Sequence, residues 1–90
     1  MDRPIFSIHV SSIFEKSFSS LPKRIQLLAE KKERLFRNNA FHASLRTHKL
    51  SGELQNDWAY WVNKHYRVHF YFVDNNSAMF LDIGTHEIYK

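Results

Sequence analysis

Six histidines stand among ninety residues without a single cysteine, and several of them gather around one arginine. From His65 onward, His65, Arg67, His69 and Tyr71 alternate with Tyr66, Val68, Phe70 and Phe72. A period of two is the mark of a β-strand, so two imidazoles, a guanidinium and a phenol share one face. A merely solvated strand face usually carries Thr, Ser, Lys and Glu instead. His48 precedes this strand and His86 follows the final one, each with a path to the same surface. The set fits metal-free cleavage of a ribonucleotide chain. A base takes the 2′-hydroxyl proton, an acid protonates the leaving 5′-oxygen, and a cation stabilises the crowded phosphate between them. Imidazole titrates near neutral pH and suits either proton role, and the planar arginine fork suits the phosphate. Attack by the 2′-hydroxyl restricts such chemistry to RNA.

Two plainer readings compete. Four residues on one strand face separate His65 from His69 by roughly 13 Å, too far to share an ion. With no cysteine and no helical histidine pair at four-residue spacing, neither a metal site nor a cofactor is expected. Taken singly, His9, His42 and His69 read as ordinary surface or half-buried side chains; the clustering with Arg67 alone argues for more.

Composition bounds the rest. Ninety residues make one domain, residues 1–90, because a second core needs a longer chain. Eight Phe, four Tyr and two Trp fill the few buried positions of a small domain efficiently. A net charge of +4 favours an anionic partner: nucleic acid, an acidic protein or a lipid surface. The absence of cysteine excludes a disulfide framework and suits a reducing cytosol. No signal peptide and no bilayer-spanning stretch is read, so a cytoplasmic protein is expected.

The elements that must position these groups follow from periodicity. Residues 5–10 alternate as a half-buried strand. Ser12 with Glu15 forms a capping box for a short helix through Phe18, and Pro22 opens the next one. From Lys23 to about Arg37, Ile25, Leu28, Ala29, Leu35 and Phe36 make an apolar stripe, with Lys23, Arg24, Lys31, Arg34 and Arg37 on the solvated side. Residues 40–50 connect, with one helical turn. Asp57 to Val62 is a strand around Trp58, Tyr60 and Val62, turned by Asn63-Lys64 into the strand from His65 to Val73. This pairing is expected to set Trp61 and Ala59 on the same face as His65, Arg67, His69 and Tyr71. After the turn at Asp74-Asn75-Asn76-Ser77 comes a last strand to Gly84, with Met79, Leu81 and Ile83 facing the core. The order β-α-α-β-β-β predicts an α+β domain, a twisted antiparallel sheet with two helices packed on one face.

Three clusters carry a family likeness: His48-Lys49-Leu50-Ser51-Gly52, Tyr66-Arg67-Val68 on a strand, and Ile83-Gly84-Thr85-His86 followed by Tyr89. Together they resemble the RelE/ParE toxin superfamily, most closely its YafQ-like and YoeB-like ribonuclease branches. Phe14 and the break at Leu21-Pro22 match its helical region loosely. Trp61 stands where the YafQ-like pattern has a histidine, and His65-Tyr66 where it has an aspartate and a tryptophan.

The resemblance implies the same compact β-α-α-β-β-β fold and a type II toxin that cuts mRNA in the ribosomal A site without metal. It implies an antitoxin that wraps and silences the toxin, and contact with operator DNA through that antitoxin. Carried over by position, His48 is a candidate acid or base, Arg67 the phosphate-stabilising arginine, His86 a candidate acid, and Tyr89 the terminal aromatic that positions substrate. His65 is an alternative base. Lys49, Trp61, Lys64, Tyr66 and His69 are the expected RNA contacts. Two other functions stay open: a ParE-like inhibitor of DNA gyrase, and an inactive relative that only binds protein.

Overall fold

The alternating runs of the sequence become one five-stranded sheet, and the helical stripe becomes one of two helices laid across its face. A computed structural model of the chain describes residues 2–54 and 56–89, with only the main chain of Tyr89. Its strands are β1 (Ser7–Val10), β2 (His48–Lys49), β3 (Trp58–Trp61), β4 (Tyr66–Asp74) and β5 (Ser77–Thr85). The helices are α1 (Ser12–Ser19) and α2 (Lys23–Asn38), and short 3-10 turns lie at Ala43–Leu45, Gly52–Leu54 and His86–Tyr89. Strand order is β1-β5-β4-β3-β2.

The α+β plan with two helices on one face holds, with one correction: the sheet is mixed. β2 to β5 pair antiparallel, but β1 runs parallel to β5, from Ser7 beside Ser77 to Val10 beside Phe80. Hairpins force neighbours to run oppositely, whereas β1 meets β5 through the whole intervening chain and is under no such constraint. β2, read from sequence as connecting chain, is an edge strand too short to display a period.

Local chemistry sets the helix ends. Ser11 caps α1, one residue ahead of the expected Ser12. Its Oγ accepts from Phe14 N at 2.9 Å and donates to the Leu81 carbonyl at 2.7 Å, so one hydroxyl ties helix to sheet. Pro22 is the N-cap of α2, and Asn39 ends it. Ile25, Ala29 and Phe36 are buried, while Lys23, Arg24, Lys31, Arg34 and Arg37 stay in solvent. Phe36 is the hub of the core, its ring 4.8 Å from Tyr60, 5.0 Å from Phe70 and 5.5 Å from Phe80.

A bulge corrects the expected phase of β5. Phe70 pairs with Phe80 and His69 with Asp82, which leaves Leu81 as an extra residue. Ala78, Phe80 and Ile83 therefore face the core instead of Met79, Leu81 and Ile83. Beyond the bulge, Asp82 and Gly84 point to the face that the helices leave open. There the last 3-10 turn folds back: a Cβ on Gly84 would lie 2.7 Å from Ile88 Cγ2, closer than such atoms approach.

Tyr60 is 1% exposed, and its hydroxyl has no hydrogen-bond partner among the described residues. Burial pushes its phenol far above the ordinary value of 10.0, Glu33 adds to the rise and Arg37 opposes it.

Two expectations follow from these contacts. Tyr60→Phe removes an unsatisfied buried hydroxyl and should stabilise the fold by about 1 kcal/mol, read as a higher urea midpoint. Because the folded phenol is held above its unfolded value, the native chain should also lose stability as pH rises past about 10, and the variant should lose less. A lowered midpoint in Tyr60→Phe would show that the hydroxyl is engaged after all. Separately, Gly84→Ala should loosen the terminal turn, seen as faster amide exchange at residues 86–89 and a cost of about 1–3 kcal/mol. Adding Ile88→Ala should restore protection if the clash is the cause.

Candidate nucleic-acid interface

The open face of the sheet is organised in rows of cross-strand neighbours. One row runs His48–Ala59–His69–Asp82 through four strands. The next runs Trp61–Arg67–Gly84, and continuing the β2–β3 register by two residues brings Arg46 beside Trp61. Rows of this kind stand two residues apart, so the Cα atoms of His48 and Arg67 are separated by roughly 12 Å. Two long side chains and a phosphodiester fit within that span.

The register behind these rows differs from the expected two-residue turn. A turn at Asn63-Lys64 alone would pair Trp61 with Tyr66 and send the indole to the core side. Instead Val62 N donates to the Tyr66 carbonyl at 2.9 Å, closing a three-residue loop, Asn63 to His65. Asn63 Oδ1 accepts from both His65 N and Tyr66 N at 2.8 Å. The added residue puts Trp61 opposite Arg67 and Ala59 opposite His69.

Arg67 is half-buried and held by its own loop. Its Nη1 donates to the Asn63 carbonyl at 2.9 Å, and the guanidinium carbon lies 4.1 Å from the centroid of Trp61. Arg67 makes no ion pair, and its Nε and Nη2 have no partner among the described residues. That edge is the side-on fork that grips a phosphate with two parallel hydrogen bonds.

His48 is exposed, and its Nδ1 lies 2.8 Å from the Arg46 carbonyl. A carbonyl oxygen only accepts, so the hydrogen sits on Nδ1, and in the neutral tautomer this selects, Nε2 is the unprotonated nitrogen. His86 opens the terminal turn, two residues beyond Gly84 and hence beside the Arg67 row. Its ring is 69% exposed, with Nε2 3.7 Å from Glu87 Oε1.

The remaining sequence-derived residues are placed less favourably. His65 is not on the strand face: it lies in the exposed loop before β4, because Asn63 draws that segment into a turn. Lys64 is exposed in the same loop. Tyr66 packs on the core side, where alternation from Val68 and Phe70 must send it. Lys49 alternates with His48 and so points to the opposite face at the sheet edge. His69 is buried, its Nε2 2.8 Å from Asp57 Oδ2, which ties the strand to the chain entering β3. The side chain of Tyr89 lies outside the described residues. His42 caps the 3-10 turn at Ala43–Leu45, its Nδ1 accepting from Ser44 N at 3.2 Å.

Sequence reasoning missed Arg46 and Asp57. Arg46 stands two residues before His48, so a strand at His48 would have put both on one face. Asp57 left no comparable mark.

Two hollows are clear, one lined by Arg3, Phe41 and Asn76 and one between the helices above Phe80, and neither contains His48, Arg67 or His86. The basic rows form an open, shallow surface, a shape for a polymer more than for an enclosed small molecule. Among the described residues no three His, Asp or Glu side chains gather as a metal cage.

No protein-family model matches the chain, and no curated protein matches it in sequence. Solved structures do. YafQ from E. coli superposes with a TM-score of 0.75 at 20% identity, over 91% of this chain and 94% of that one. A YoeB/ParE toxin from Agrobacterium tumefaciens gives 0.75 at 9% identity, over 90% and 99%. The archaeal RelE–RelB complex from Pyrococcus horikoshii gives 0.71 at 14%, over 89% and 93%. Identities this low speak to architecture, and the architecture agrees over about nine-tenths of the chain: it has the fold of the RelE/ParE toxins.

Proposed function

We propose that the protein is the toxin of a type II toxin–antitoxin system and cleaves messenger RNA in the ribosomal A site. The observation that carries this reading is the Arg67 guanidinium. It is fixed by Asn63 and Trp61, with its phosphate-gripping edge open, on the same sheet face as the tautomer-fixed imidazole of His48.

The chemistry follows from the atoms present. His48 Nε2 takes the proton of a 2′-hydroxyl, and the 2′-oxygen attacks the adjacent phosphorus. The Nε/Nη2 edge of Arg67 stabilises the charge that builds on the non-bridging oxygens. His86, as imidazolium, gives its proton to the departing 5′-oxygen. A 2′,3′-cyclic phosphate and a 5′-hydroxyl remain, with no metal or cofactor required. Tyr89 is the proposed substrate-positioning aromatic. Lys64 adds charge at the loop beside Arg67, and His69 serves as a pin held by Asp57.

An open face does not by itself hold a flexible strand in register. Dependence on the ribosome supplies what the surface lacks, since the A site presents mRNA in a fixed conformation. The net charge of +4 favours approach to ribosomal RNA. A cognate antitoxin is the expected protein partner, linking the pair to operator DNA. Exposed Phe6, Ile13 and Leu27 offer apolar surface for it. No helix among the described residues is long and apolar enough to cross a membrane; action on translated mRNA would place the protein in the cytoplasm.

In a purified translation reaction with cut-site mapping, the protein should cleave mRNA at the codon in the A site. Arg67→Ala should lose about 100- to 1,000-fold in rate and His48→Ala about 100- to 10,000-fold, both with native circular dichroism. His65→Ala should stay within a few fold. Growth arrest with intact mRNA and induced DNA damage would instead favour the gyrase-poisoning alternative.

A further inference from the structure

Arg46 has an unusual place in the chain. It is exposed, and among the described residues it alone, glycines aside, has a positive φ, at 49° with ψ 40°. A side chain with a Cβ pays for that conformation, which glycine adopts freely. Neighbouring contacts hold it there: Leu45 is fully buried on one side, and on the other the Thr47 hydroxyl donates to the Ala40 carbonyl. Two consequences point outward to the site. The Arg46 carbonyl is the acceptor that fixes the His48 tautomer, and the guanidinium carbon lies 4.6 Å from the centroid of Trp61.

Trp61 on β3 therefore carries a guanidinium from each flank, Arg46 from the β2 side and Arg67 from β4 at 4.1 Å. The Arg46 guanidinium has no hydrogen bond or ion pair among the described residues, and it lies over the indole. Two cations held by one ring repel each other, and an anionic chain laid across both relieves that repulsion. Their separation cannot exceed the sum of the two distances, so neighbouring phosphates of one strand can reach both.

We propose that Arg46 forms a second phosphate subsite, gripping the phosphate next to the scissile one, with the Trp61 indole as a rigid spacer between the two guanidiniums. The assignment rests on the RNA-cleaving reading above and extends it to a second nucleotide. It makes Arg46 a binding residue and leaves charge stabilisation at the reacting phosphate to Arg67.

The test uses Arg46→Gly, because glycine keeps the left-handed backbone and the carbonyl that orients His48 while deleting the guanidinium. It should fold at least as stably as the native chain. The probe is a single-stranded oligoribonucleotide with 2′-O-methyl groups, which binds without being cut, titrated across salt concentrations. One lost phosphate contact should reduce the slope of log K against log salt by about 0.7, and Arg46→Lys should recover most of it. In the translation reaction, Arg46→Gly should raise KM several-fold with little change in kcat, whereas Arg67→Gln should lower kcat. An unchanged salt slope in Arg46→Gly while the native protein cleaves would overturn the second subsite and leave the nuclease reading standing. A native protein that binds the oligonucleotide but cuts no translated mRNA would overturn the nuclease reading, and the salt slope would then stand alone as a binding property.

Discussion

A three-residue loop governs what the open face of this sheet can present. Val62 and Tyr66 close it, and the carboxamide of Asn63 fills it by taking two backbone donors. Because side chains alternate across a strand, one residue more or less would exchange the two faces of β3 relative to β4. Trp61 would turn toward the helices, and Arg67 would lose the ring that orients it. The loop then serves a second time: its first carbonyl takes Nη1 of Arg67, so the segment that sets the register also aims the guanidinium.

The bulge at Leu81 plays the complementary part on the other side of β4. It lets Phe80 and Ile83 both reach the core while releasing Gly84 to the open face, where the chain can reverse tightly. Ala59, wholly covered between His48 and His69, leaves room for two imidazoles in one row. Of these two rings one is buried against a carboxylate and the other faces water. Their environments separate a buried, carboxylate-held histidine from a solvent-exposed one, although their residue type and strand face are the same.

Much of this was legible from the chain itself. The period-two run from Tyr66 to Phe72 placed Arg67 on the face opposite Val68 and Phe70, and the stripe from Ile25 to Phe36 placed α2. The RelE/ParE likeness rested on short clusters, and the superposition supports it at the level of fold. What escaped has physical reasons. β2 is two residues long, so no periodicity marks it, and Arg46 went unnoticed with it. The bulge moved Met79 and Leu81 out of the core because a strand's phase can slip by one residue at no cost visible in sequence. His65 was assigned to the strand because the alternation extends one residue further than the hydrogen bonds do. The parallel pairing of β1 depends on how distant segments meet, and no local pattern encodes that.

That parallel pairing has a consequence for synthesis. Among the described strands β1 pairs with β5 alone, the furthest from it along the sequence. While β5 is still inside the exit tunnel, β1 has no edge to join and the Ser11 hydroxyl no Leu81 carbonyl to bind. Pairings between such distant segments form slowly and only once the loop between them can close. The β1 edge and the tie from Ser11 are therefore the last parts of the sheet to close, after β3, β4 and β5 have paired as local hairpins.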